Sequence, residues 1–357
     1  MSRPVDANGI PYDMWAVVFR NRGDAVVDLV PAPRSPEHSW ALARIRVHAS
    51  MVCASDRKIL DGKFPATAFP HIPGHEFAGE VVDVGDGVFD IEPGMRVAPE
   101  AHVGCGECER CLEGLYNLCM NYGKPGHWHI GFTKAGGLAE YVTLPVKALH
   151  KLPDNISFAQ GAWTDNLGVA LWALERGAMR GGERVAVIGS GAIGLCAAQL
   201  ARGLGAASVT LVGRGERLSR VARFADDVIS DVQARQRKGQ FDLVVEFAGT
   251  ADGAALSIAL ARRGGRVVLG GATGAGVELS GVDLSQIVRG HLDIFGSVAN
   301  PKGVTARALE LLRRGLVDVE PLITHHFQLR DFQEAWTTFT ERREGAIRVM
   351  LHPVEGS

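Results

Sequence analysis

A short apolar run, Val185-Ala-Val-Ile188, leads directly into Gly189-Ser190-Gly191-Ala192-Ile193-Gly194, and the residues from Ala192 to Gly203 read as a helix. This order constrains the fold more than any other feature of the chain. In a G-x-G-x-x-G turn between strand and helix, Gly189 permits the tight turn. Gly191 lets a pyrophosphate approach the backbone, and Gly194 lets helix and strand pack closely. The helix start then offers unpaired N–H groups and a positive dipole end to phosphate oxygens. Further apolar runs at 209–212, 241–247, 266–269 and 294–296 are separated by helical stretches such as 253–263. Apolar strands alternating with helices argue for a parallel sheet covered on both faces.

The preceding sequence has a different texture. Strand-like runs at 15–19, 41–48, 77–84, 94–97 and 138–142 are broken by turn signals such as Gly85-Asp-Gly87 and Glu92-Pro-Gly94. After Pro153 the pattern predicts a helix over 158–176, then the strand–helix alternation, then helices over 304–314 and 332–342 and a final strand over 347–351. A length of 357 residues suits two domains, and 46% hydrophobic residues can fill their cores.

Charge excludes some partners. Lys+Arg 38 against Asp+Glu 40 leaves −2, without the basic excess of a nucleic-acid binder. Residues 1–12 lack an apolar signal core, and the longest uncharged stretch, 185–201, is too short for a membrane span and carries the glycine turn. A cytoplasmic chain with no membrane partner is expected.

The end of the second apolar run bears on the cofactor. An NAD site usually places Asp or Glu there to grip the ribose hydroxyls. Here the sequence is Val212-Gly213-Arg214-Gly-Glu-Arg217. Gly213 leaves room for a phosphate, and Arg214 or Arg217 can bind one bidentately. NADP is therefore expected over NAD. The alternative is that these arginines form an exposed helix start and NAD binds without its usual partner.

Of six cysteines, Cys105, Cys108, Cys111 and Cys119 fall within fifteen residues as C-x2-C-x2-C-x7-C. A long chain without a secretory segment is a poor disulfide scaffold, and neither ferredoxin spacing fits. Four thiolates on one folded-back loop suit a closed, structural zinc site. Two other motifs, Cys53-Ala-Ser55-Asp56 and Gly74-His75-Glu76 with Gly79 following, have ordinary readings when taken singly.

Taken in order, the Cys-x-Ser-Asp loop, Gly74-His75-Glu76-x-x-Gly79, the four-cysteine lobe and the glycine turn resemble the zinc-containing medium-chain alcohol dehydrogenases, in their sorbitol- and threonine-dehydrogenase-like branch. The resemblance spans nearly the whole chain from Trp15. It implies a GroES-like β-rich catalytic domain, residues 1–158 and 300–357, around a Rossmann NAD(P)-binding domain, residues 159–299. It also implies a catalytic zinc held by Cys53, His75 and a third ligand, which in this branch is a carboxylate. Asp165 stands at that position, with Glu76 as an occasional fourth ligand; the other reading of Asp165 is a helix cap. Ser55 occupies the position of a proton-relaying hydroxyl. Lys58 stands where many members carry a relay histidine, a departure from the pattern, and Asp56 is expected to brace the loop.

By position, further cofactor contacts would come from Ser190, Ala192, Ile193, Ala248, Gly270, Gly271, Val298 and Ala299; many sorbitol-type members have arginine at the last. The expected reaction transfers hydride between a secondary alcohol and NAD(P), zinc binding the alcohol or carbonyl oxygen. The substrate would lie between the domains, near Ser55, His102, Trp163 and Asn166. His127-Trp128-His129 reads either as a polar wall, suiting a polyol, sugar or amino-alcohol, or as a surface loop. A homodimer or homotetramer is the family expectation. The competing readings are a zinc-independent reductase of the enoyl or quinone type and a non-catalytic NADPH-binding protein.

Overall fold

The strand Leu42–Met51 organises the first half of the chain, because it pairs with three others. Its buried residues Ile45 and Val47 face Phe77, Val81, Val97, Val142 and Leu144 in one apolar core. Its antiparallel neighbour Phe77–Val84 is also mostly buried. Gly79 is required in that pair, since a Cβ there would lie 2.1 Å from the Arg46 carbonyl oxygen. The seven-stranded sheet runs Ile323–Gln328, Arg348–His352, Leu42–Met51, Phe77–Val84, Arg96–Pro99, Leu149–Lys151, with Tyr141–Pro145 also paired to Leu42–Met51. The last strand of the chain thus lies beside Leu42–Met51, with Met350 opposite Met51. The computed structural model describes residues 3–215, 217–274 and 276–354.

The chain divides into two compact units. The first takes in the chain up to Asp165, Asn300–Arg313 and the chain from Val319 onward; the second takes in Asn166–Ala299 and Arg314–Asp318. The second unit holds a six-stranded parallel sheet in the order Asp227–Ser230, Ser208–Gly213, Arg184–Ile188, Phe241–Glu246, Ala261–Leu269, Asp293–Gly296. In the order of their appearance along the chain these strands read 3-2-1-4-5-6, the doubly wound arrangement that brings dinucleotide sites to the carboxyl end of the first strand. The mixed architecture, a β-rich domain and a Rossmann domain, is of the kind the sequence implied.

Two helices differ from expectation. The stretch 158–176 is two helices, Phe158–Gly161 and Thr164–Arg176, because Ser157 and Gln160 cap the first turn reciprocally and Thr164 Oγ1 turns back onto the Gly161 carbonyl. The break sets Asp165 in a first helical turn. The helix expected over 253–263 begins instead at Ala251, capped by Thr250, and ends at Leu260, where the next strand starts. Among the described residues no helix is long and apolar enough to cross a membrane.

Candidate metal centres and nicotinamide site

Cys53 follows the central strand and caps the helix Ala54–Leu60. Its backbone N–H donates to Asp56 Oδ2 at 2.8 Å, so Asp56 does brace the loop. Ser55 Oγ lies 3.1 Å from Cys53 Sγ and 3.3 Å from His75 Nε2. His75 is aimed by Gly74, whose φ of +100° and crowding against Leu138 leave no room for a side chain. Ligand atoms of Cys53, His75 and Glu76 all lie within 4.8 Å of one another. Asp165 stands outside that tight set, yet close enough that the charges on His75 and Cys53 act on its carboxyl.

The electrostatics are those of a site built around positive charge. Burial works against the Cys53 thiolate, but the charge and hydrogen bond of His75 outweigh it and hold the thiol below its usual range. His75 is driven the other way by Cys53, Asp56 and Asp165, against the cost of its own burial. Burial pushes Asp165 up to about 6 and Asp56 up to about 7. Asp56 Oδ1 and His75 Nδ1 face each other at 3.8 Å, both buried without hydrogen-bond partners. A cation at Nε2 would draw that pair together, the arrangement of a carboxylate orienting a metal-bound imidazole. Thiolate, imidazole and carboxylate form a donor set suited to zinc with an open position.

The four-cysteine lobe has the dimensions of a closed site. Cys105 and Cys111 Sγ are 3.9 Å apart, and Cys108 and Cys119 Sγ 4.0 Å. A tetrahedron with Zn–S bonds of about 2.3 Å has edges of about 3.8 Å. Asn121 Nδ2 donates to Cys105 Sγ at 3.4 Å, as amides do around a thiolate site.

In the second unit, Gly189 and Gly194 of the turn are sterically required, while Gly191 borders open space. Gly189 has φ +115°, and a Cβ there would lie 2.9 Å from the Phe247 backbone. A Cβ on Gly194 would lie 1.9 Å from the Gly189 carbonyl oxygen. Beside Gly191 there is open space, and Gly191 caps the helix Ala192–Gly203. Open space at a helix N-terminus, flanked by Ser190 and Ile193, fits a pyrophosphate. A Cβ on Gly213 would crowd the side chains of Ser190 and Leu218, at 2.7 Å from Ser190 Oγ.

Comparison with known proteins agrees with this geometry. Residues 41–154 match the alcohol dehydrogenase GroES-like domain, and residues 192–314 the zinc-binding dehydrogenase family. A sorbitol dehydrogenase from Halalkalibacterium halodurans is 30% identical over 346 residues, covering 93% of this chain and 97% of that one. An L-threonine 3-dehydrogenase from Idiomarina loihiensis is 29% identical over 327 residues, covering 87% and 93%. A zinc-binding dehydrogenase from Sinorhizobium meliloti, solved with NADP bound, superposes with a TM-score of 0.87 at 30% identity, covering 96% and 99%. The chain belongs to the zinc-binding alcohol dehydrogenase family. Its activity is NAD(P)-dependent oxidoreduction of an alcohol.

In this alcohol dehydrogenase the end of the strand Ser208–Gly213 holds a feature the sequence did not disclose. Arg214 Nε donates to Asp231 Oδ2 at 2.8 Å, and its Nη2 lies 3.9 Å from Asp252. A phosphate would have to draw the guanidinium from these carboxylates or share it with them. The Arg217 side chain lies outside the described residues. Ala248, Gly270 and Gly271 stand at strand ends beside the glycine turn, and Ala299 adopts a left-handed φ of +48°.

One group was missed, and one open alternative is decided. Arg348, on the final strand, forms a buried ion pair with Glu76 and packs 5.5 Å over the Trp163 ring. The one available signal was a lone arginine inside an apolar strand run. His127-Trp128-His129 is not a surface loop: His127 is 0% and His129 6% exposed. His129 stacks on His102 at 3.7 Å and on Phe132 at 3.7 Å, and Phe132 lies 4.9 Å from His75. Tyr122 Oη and His129 Nδ1 share a hydrogen bond of 2.6 Å. Burial pushes His102 down to about 3 and His129 well below its ordinary value, so both rings are neutral. Trp163 and Asn166, expected at the substrate wall, are both buried.

Proposed function

We propose that this enzyme acts on a secondary alcohol carrying further polar groups, of the polyol, sugar or amino-alcohol class. NADP is the preferred cofactor, and each chain holds two zincs, one at each cysteine-containing cluster. The observation that carries the reading is the meeting of Cys53, Ser55, His75 and Glu76 at one point, backed by a column of neutral imidazole rings. Imidazole and phenol groups held neutral suit hydroxyl partners better than a purely apolar wall would.

In this reading Cys53, His75 and Asp165 hold the catalytic zinc, and Glu76 approaches it on occasion. Bound there, the zinc supplies Lewis acidity that makes an alcohol proton easier to remove. A nicotinamide cofactor held along residues 189–194 would supply the hydride acceptor or donor. Ser55 Oγ stands half-buried beside the ligand atoms, where it accepts the alcohol proton as its own passes to solvent water. Asp56 fixes the loop and the His75 ring. Arg348 offsets the Glu76 charge, leaving Cys53 and Asp165 to neutralise a divalent cation.

NADP is supported by Gly213, by the absence of a carboxylate at the end of Ser208–Gly213, and by Arg214. Assembly as a homodimer or homotetramer is supported by the edge position of Asp293–Gly296 and by the helix Leu284–Gly290, which has no buried residue and leaves Leu284 and Val288 exposed.

The test is cofactor reduction by zinc-loaded protein, with NADP and NAD, against polyols, sugars, β-hydroxy amino acids and simple secondary alcohols. Turnover confined to the polar classes, faster with NADP, is expected. Turnover of simple alcohols alone would overturn the substrate class, and equal use of NAD would overturn the cofactor preference.

A further inference from the structure

Glu246 ends the strand Phe241–Glu246, between Ile188 on one neighbouring strand and Leu269 on the other. It is 2% exposed, and nothing in the chemistry above uses it. A buried carboxylate is costly unless its oxygens are saturated with donors. Here the donors are backbone groups from two separate segments. The Gly249 N–H donates to Oε1 at 2.7 Å, and the N–H groups of Ala248 and Thr250 donate to the same carboxylate. The Gly271 N–H reaches it from the end of the adjacent strand.

The space around it is made by glycine. A Cβ on Gly271 would lie 2.6 Å from Glu246 Oε2, and one on Gly253 2.7 Å from Oε1. Gly253 lies in the first turn of Ala251–Leu260, so the carboxylate also meets the positive end of that helix. The segments tied in this way are the ones that face the glycine turn. Ile188 leads directly into Gly189, the Phe247 N–H donates to the Ile188 carbonyl at 2.7 Å, and Gly189 packs against the backbone of Phe247 and Ala248.

We propose that Glu246 is a positioning residue for the nicotinamide cofactor: its carboxylate staples the loop 248–250 to Gly271 and so fixes the backbone wall of the cofactor site. The proposal rests on the reading that these strand ends hold the cofactor. Glu246 touches no reacting atom. Its removal therefore acts on cofactor affinity, while the metal clusters of the first unit keep their ligands.

Glu246→Gln keeps the side-chain shape but turns an NH2 group toward backbone donors. NADPH binding, followed by its fluorescence, is expected to weaken about tenfold or more. Zinc content and the alcohol KM at saturating cofactor should stay unchanged. Glu246→Asp, which keeps the charge, should fall between. A folded Glu246→Gln protein with unaltered NADPH affinity, even with a lowered urea midpoint, would reduce Glu246 to a structural role and overturn the proposal. Absence of NADPH binding in the unsubstituted protein would overturn the underlying cofactor reading instead.

Discussion

Arg348 and Glu76 form an ion pair whose side chains are 4% and 1% exposed, joining the last strand of the chain to the residue beside His75. Arg348 also reaches the Cys53 thiolate, so a residue near the C-terminus closes the back of a site built from residues far earlier in the chain. Neither charge can be removed singly without leaving the other unpaired in a low-dielectric interior.

Arg348→Met is therefore expected to lower stability by about 3–5 kcal/mol. Arg348→Met combined with Glu76→Gln should cost clearly less than the sum of the two single changes. Urea denaturation of the four proteins measures the coupling. Strict additivity would mean that the pair does not act as a unit.

Ser55→Ala should reduce kcat by about 10²–10⁴-fold, the usual contribution of a positioned proton-transfer group. Zinc content and cofactor affinity should be retained, because the hydroxyl relays and does not ligate. Loss of zinc in this variant would assign Ser55 a structural part in the cluster.

Arg214→Ala should weaken NADP binding by at least about tenfold while leaving NAD nearly unaffected, since only NADP brings an additional phosphate. Comparing the two cofactor dissociation constants in one variant removes general effects on folding. Equal losses would show that Arg214, held by Asp231, serves the surface and not the phosphate.

His129 carries a pH prediction. Its pKa is depressed in the folded chain by burial, with the charges of His102, His75 and His127 adding to the effect. The unfolded chain, with an ordinary histidine near 6.5, binds the proton more readily. Its contribution to stability is thus complete above about pH 6.5 and declines by up to ~1.4 kcal/mol per pH unit below that. His129→Phe, which keeps a ring in the stack, should flatten the acid limb of the stability curve by about that slope. An unchanged slope would mean that the ring is already protonated in the folded state.

The parts of the structure that could be read from the sequence are those whose requirements are local. Gly189 and Gly194 answer steric demands within a single turn, Gly191 borders open space between them, and their spacing disclosed that geometry. Cys105 to Cys119 are close in sequence because one loop must present four thiols together. Cys53, His75 and Asp165 are far apart, and only the order of motifs, read by resemblance, brought them to one site. The remainder depends on contacts that no local pattern carries. The break at Ala162–Trp163 occurs in helix-compatible sequence and is set by the caps of Ser157 and Thr164. Burial of His127 and His129 depends on the pairing of Trp128–His129 with His102–Val103. Arg348 finds Glu76 through strand pairing at Met350 and Met51.

Zinc content per chain, measured together with turnover in the unsubstituted protein and in Cys53→Ser, tests the central claim most directly. The account predicts two zincs in the former. In the latter it predicts one zinc, retained by Cys105, Cys108, Cys111 and Cys119, with dehydrogenase turnover lost. One zinc in the unsubstituted protein, or full turnover in Cys53→Ser, would contradict it.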